Sequence, residues 1–252
     1  MDITNIQKCA SFYKTEYMEK FYIITTFYGN GFVLVAEKGN FPHLMGINKA
    51  VYKSNGYRNP NRLYEDIISG IRVSNKIIPN NIATTSKMYK KALNFMKSTD
   101  IFWHNAGPLA VNYNETLSST KLSNVSLLLV DIKLGYMTGW IENTDILLNA
   151  ESKLKKYCFC TWIDESSGTQ LQKEKYMPSQ NIEIIKNVLA FDKDSKLVQQ
   201  KTYSYTRDQK KEILLSVERN GSNLLLDSIN ERYYKEIAIE ETIHCKINGI
   251  TY

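Results

Sequence analysis

Apolar and aromatic side chains at Ile6, Cys9, Ala10, Phe12, Tyr13, Tyr17 and Phe21 recur at helical spacing and predict a first helix over residues 5–20. The pattern then changes period. Residues 21–27 form a β-branched and aromatic run, residues 28–31 (Tyr28-Gly29-Asn30-Gly31) carry turn chemistry, and residues 32–37 form a second apolar run. Two such runs around a Gly/Asn turn predict a β-hairpin. A polar loop over 53–61 holds Asn55-Gly56 and Asn59-Pro60. A helix follows over 61–69 with Leu63, Ile67 and Ile68 on one side and Gly70 at its end. Another helix is expected over 84–98, opened by Thr84 or Thr85, with Met88, Ala92, Phe95 and Met96 turned inward.

From residue 108 onwards strands dominate, at 108–113, 125–132, 134–141 and 156–163, with a turn at Lys133-Leu134-Gly135. Residues 164–180 read as a loop and 182–191 as a strand or short helix. Helical patterns return at 206–219 and 222–240. The expected class is α+β: helices packed on a mainly antiparallel sheet, then a helical C-terminal tail. The expected division is a domain over 1–204 and an extension over 205–252.

Composition sets the bounds. The chain has 252 residues, 43 % hydrophobic and 23 % charged, which excludes a disordered chain. A chain of this length buries about 70 % of its unfolded surface and needs no disulfide or metal staple. No run approaches the roughly 18 apolar residues of a membrane span, and the first residues lack the order of a signal peptide. The expectation is a soluble, cytoplasmic protein with no membrane partner. The net charge is +6, and its distribution says more than its size. Residues 1–110 hold 14 Lys/Arg against 7 Asp/Glu, whereas residues 111–252 hold 18 against 19. A clustered positive excess suits a polyanionic partner; a solvated basic surface explains it equally.

Candidate chemistry is sparse. Cys9, Cys158, Cys160 and Cys245 are expected as free thiols, because Cys158 and Cys160 suit neither a mutual disulfide nor a zinc site. Metal-protease, P-loop, dinucleotide and serine-hydrolase motifs are absent; no metal and no cofactor is expected. Of three histidines, His43 follows the hairpin, is restrained by Pro42 and lies in the basic part; a proton-transfer role stands against a buried imidazole bonded to a carbonyl. His104 reads as a loop or interface residue. His244 makes an E-x-x-H step with Glu241, but the second copy that a di-metal bundle needs is missing. Tyrosine is frequent, with 17 residues, several beside cations or amides: Tyr52 with Lys53, Tyr57 with Arg58, Tyr64 with Arg62, Tyr89 with Lys90. Such pairs stack bases and hold phosphates, or simply pack.

The stretch Asn40-Phe41-Pro42-His43-Leu44-Met45-Gly46-Ile47 resembles the F-x-H-L-x-G motif of the barnase–EndoU–colicin–RelE-like nucleases of phages, fourth subgroup. Residues 63–70, the helix near 86–98, the run Tyr157-Cys158-Phe159-Cys160-Thr161-Trp162 and the step Met177-Pro178-Ser179 are similar too. The resemblance covers residues 5–200. It implies an RNase-like (RelE-like) fold of helices on a four-stranded antiparallel sheet, in a predicted RNase carried by phages and mobile elements as a toxin or effector. It also implies a functional His43 and a Tyr64 that positions or donates. Ser179 corresponds weakly, since Gln180 replaces the aromatic that often follows it. Metal-free RNA hydrolysis needs a base, an acid and a cation. His43 is assigned as base or acid, and Lys49, Arg58 and Arg62 as substrate-binding cations. RNA is the expected partner, with an antitoxin or host factor as a protein partner. The alternative is a non-catalytic phage or mobile-element inhibitor that binds a host protein or nucleoprotein. A nucleotide transferase has no motif behind it.

Overall fold

The computed structural model describes residues 4–78, 87–105, 107–118, 122–131, 134–143, 154–164, 176–177, 180–206, 208–210 and 212. The fold is α+β. Helix α1 (Thr4–Tyr13) runs on through a π-helical turn (Lys14–Met18) into strand β1 (Lys20–Thr26) and its hairpin partner β2 (Gly31–Val35). Four helices follow: α2 (Phe41–Leu44), α3 (Lys49–Ser54), α4 (Pro60–Ile68) and α5 (Lys87–Phe95), then a single turn, α6 (Asp100–Trp103). The remaining strands are β3 (Leu109–Asn112), β4 (Leu127–Asp131), β5 (Tyr136–Glu142), β6 (Leu154–Asp164), β7 (Asn181–Asp192) and β8 (Leu197–Thr202).

The sheet corrects the expected four strands. Its order is β1-β2-β6-β5-β4-β3-β7, and β7 pairs again with β1, so seven strands close into a barrel with β8 added to the free part of β7. All pairs are antiparallel except β2–β6. The length of β7 makes closure possible. Residues 181–184 pair with β3, residues 187–191 pair with β8, and residues 185–192 pair with β1 on the opposite edge. Register shifts at Thr25/Thr26 and Gly139/Trp140 add the bends that closure requires. At the parallel seam Gly31 faces Leu154, and a Cβ there would collide with the Leu154 side chain.

The two ends of the barrel differ. Aromatic side chains from the helices fill one end. Tyr17 meets Phe159 at 4.8 Å, Phe102 stacks on Tyr22 at 4.3 Å, and Phe95 meets Trp162 edge-on at 6.0 Å. The buried tyrosine hydroxyls are spent internally: Tyr13 donates to the Glu37 carbonyl, Tyr17 to Ser98 Oγ and Tyr22 to the Glu16 carbonyl. This explains much of the tyrosine content, since a large ring with a satisfied hydroxyl packs well. It also corrects the base-stacking expectation for three rings: Tyr52, Tyr64 and Tyr89 are buried. Cys9, Cys158 and Cys160 are buried free thiols; Cys245 lies outside the described residues.

Strand β8 was not foreseen: Leu197-Val-Gln-Gln-Lys-Thr202 is exposed along most of its length and shows no inward face. Residues 182–191 resolve as strand. The tail helices expected at 206–219 and 222–240 lie almost wholly outside the described residues, which reach a helical turn at 208–210. Among the described residues no helix is long and apolar enough to cross a membrane.

Candidate functional site

The motif around His43 folds into a short capped helix whose construction determines where the imidazole points. Pro42 occupies the first turn of α2, where a missing N–H costs nothing. Gly46, at φ +74°, takes the left-handed position after the helix, which favours glycine. The Ile47 N–H donates to the Pro42 carbonyl at 2.8 Å and the Gly46 N–H to the His43 carbonyl at 2.9 Å, a Schellman ending. Phe41, Pro42, Leu44, Met45 and Ile47 are buried, so His43 alone in this stretch is left with Gly46 on the outside. Asn40 fastens the helix to the barrel, donating to the Phe159 carbonyl at 2.8 Å. The imidazole is exposed and has no hydrogen-bond partner among the described residues. Partial desolvation, then the nearby Lys91 ammonium on α5, hold its pKa below the ordinary histidine value. Burial in turn lowers the pKa of Lys91.

The other residues expected at the site are spread over the adjoining surface. Lys49 on α3 and Arg58 in the following loop are exposed. Arg62 on α4 bonds Asp66 through Nε at 3.0 Å and keeps 67 % of its side chain exposed. Among the described residues no hydrogen bond or ion pair joins these cations to His43. Tyr64 is buried between Tyr13 and Phe41, and its hydroxyl donates to the Ala10 carbonyl at 3.2 Å. Burial pushes its pKa up to about 12. Tyr64 therefore touches α2 from beneath, through Phe41, with its hydroxyl directed into the core. Ser179 and His244 lie outside the described residues.

Two arrangements escaped sequence reasoning. His104, after α6, pairs through Nδ1 with Asp131 Oδ2 at 2.9 Å, and the Leu134 N–H donates to the other oxygen of that buried carboxylate. The partners are 27 residues apart, and only the turn of the barrel brings them together. The second is Glu183, 2 % exposed on the inner face of β7 at the open end of the barrel. It accepts from Thr26 Oγ1 at 2.7 Å, Asn30 Nδ2 at 2.7 Å and Asn112 Nδ2 at 2.8 Å. Here a signal existed: the carboxylate of Glu183 interrupts the apolar run Ile182-Glu183-Ile184-Ile185. Among the described residues no group of three or more His, Cys, Asp or Glu side chains is arranged to hold a metal ion.

Removing the Tyr64 hydroxyl distinguishes its two assigned roles. Tyr64→Phe keeps the ring against Phe41 and costs about 1 kcal/mol of stability, from the lost bond to Ala10. Cleavage should stay within a few-fold if the ring only positions α2, whereas a proton donor would lose about 10²-fold or more; kinetics beside a urea titration decide.

No curated protein and no solved structure matches the chain. The family model of the phage-Barnase-EndoU-ColicinE5/D-RelE like nuclease 4 matches residues 5–224, from α1 across the barrel and beyond β8. With a match over most of its length, including the capped His43 helix, the chain belongs to this nuclease-like family.

Proposed function

We propose that the protein cleaves RNA without a metal ion, with His43 as the proton-transfer group. The observation that carries this reading is the exposed imidazole, anchored by buried neighbours on both sides, with a pKa that partial desolvation and then Lys91 hold below the ordinary histidine value. A neutral imidazole can take the proton of a ribose 2′-hydroxyl. The 2′-oxygen then bonds to the adjacent phosphorus and the bond from phosphorus to the 5′-oxygen breaks. The leaving 5′-oxygen takes a proton from water and the imidazolium returns its own proton to the solvent, giving a 2′,3′-cyclic phosphate and a 5′-hydroxyl. Lys91 stabilises the charge that develops on the phosphoryl oxygens. Lys49, Arg58 and Arg62, exposed on α3, the following loop and α4, hold flanking phosphates. Tyr64 supports α2 through Phe41. A DNA strand lacks the 2′-hydroxyl and would not react by this route.

The test is incubation of labelled RNA and matched DNA with the pure protein in EDTA; RNA alone should be cut. The pH profile adds a second check. Because the His43 pKa is depressed, activity should rise with pH through a value below 6.5 and level off above it. Lys91→Met keeps the buried stem and removes the charge. The acid limb should then move to higher pH, toward the ordinary histidine value, while the plateau rate falls. An unmoved limb would separate Lys91 from the imidazole.

A second reading, a non-catalytic inhibitor that binds a host protein, draws support from β8. This edge strand exposes Leu197 (48 %) and Val198 (49 %), and edge strands accept further strands. Intact RNA after incubation, with a host protein recovered on the chain and released by charged substitutions in β8, would favour it.

A further inference from the structure

The open end of the barrel holds a cavity of about 450 Å³, walled by the ends of β2, β3, β5, β6 and β7 with Asn30, Tyr113 and Ser126 from the adjoining connections. None of His43, Lys49, Arg58 or Arg62 lines it. Its hydrogen-bonding character follows from Glu183. An ionised carboxylate only accepts, so Asn30 and Asn112 must both turn their NH₂ groups to it and leave their carbonyl oxygens for other partners. Thr26 likewise gives its proton to Glu183. The only cation among the lining residues, Lys155, is held at the rim by Glu142, at 3.2 and 3.3 Å to its two oxygens. Around Glu183 the Thr26, Asn30 and Asn112 donors are thus consumed, and the two amide oxygens remain as acceptors. The rings of Phe32 and Tyr157, edge-to-face at 5.7 Å, complete one wall. A buried negative charge repels a phosphate, whereas carbonyl oxygens, a carboxylate and aromatic faces together suit a cation with several N–H donors.

We propose that this cavity binds the ammonium or guanidinium head of an organic cation, with Glu183 as its counter-ion. The head comes either from a free polyamine or from a basic side chain presented by a partner protein. This proposal stands apart from the nuclease reading, since it concerns a different end of the barrel and is read by binding rather than cleavage.

Calorimetric titration of the full chain at low salt tests it with three probes: spermidine, N-acetyl-arginine amide, and N-acetyl-citrulline amide as the neutral isostere of the second. At least one cation should saturate the protein while the citrulline compound does not. Tighter binding of spermidine identifies a free amine as the source, and tighter binding of the arginine compound a presented side chain. Glu183→Gln should weaken the cation by about tenfold or more. Because Glu183 also bonds three neighbours, its replacement risks the fold, so Lys155→Ala is the second variant. It removes an exposed cation and frees Glu142, and should tighten binding by about two- to fivefold. Absence of saturation by either cation in both the unaltered chain and Lys155→Ala overturns the proposal. So does citrulline binding equal to arginine binding, or weaker cation binding in Lys155→Ala.

Discussion

Replacing His43 by alanine should lower RNA cleavage by about 10²–10⁴-fold, the contribution of one positioned proton-transfer group. The fold should be unaffected, because the side chain is exposed and bonds nothing among the described residues. Pro42, the Schellman bonds of Gly46 and Ile47, and the Asn40 bond to the Phe159 carbonyl are all independent of the imidazole. Single-turnover cleavage measured beside the urea midpoint separates loss of chemistry from loss of structure. A midpoint unchanged and a rate reduced at least a hundredfold is the expected pair. A fall in both together would mean that the imidazole supports α2 instead.

Phe159→Ala should have the largest effect on stability, about 3–5 kcal/mol. Its ring is fully buried where the barrel meets the helical plug. Trp140 stacks on it at 4.5 Å and 21°, Tyr17 lies at 4.8 Å, and Phe95 stacks at 5.9 Å and 19°. These neighbours come from β5, the π-helical turn and α5, so the cavity left by truncation has no single element free to collapse into it. Against a typical total of about 5–15 kcal/mol, such a loss removes a large share of the stability. Denaturant titration gives the value. A cost below about 1 kcal/mol would show that the plug is loosely packed.

Local physics was legible in the sequence, and long-range closure was not. The β1–β2 hairpin, the body of α4 and strands β3 to β6 all follow from period and turn chemistry, whereas the Asn59 cap and Pro60 start of α4 read as loop. Barrel closure depends on β7 pairing with both β3 and β1, the latter about 160 residues earlier, and no local pattern encodes that. β8 lacked a signal because an exposed edge strand has no buried face to impose alternation. At the site, the motif around His43 located a short capped helix whose one titratable side chain faces outward. Lys91 was invisible as a neighbour, since α5 reaches α2 only through tertiary packing. Tyr64 shows the opposite error: its place beside Arg62 suggested surface chemistry, but the α4 pattern Leu63, Tyr64, Ile67 turns it into the core. His104–Asp131 and the surroundings of Glu183 are likewise products of the closed sheet.

The ends of RNA fragments made in EDTA by the unaltered chain and by His43→Ala, at the same pH and concentration, show whether this imidazole moves the 2′-hydroxyl proton. The unaltered chain should leave 2′,3′-cyclic phosphate and 5′-hydroxyl ends, formed at least about a hundredfold more slowly by the variant. Intact RNA with the unaltered chain, or the same ends at equal rates from both proteins, would remove His43 from any cleavage chemistry.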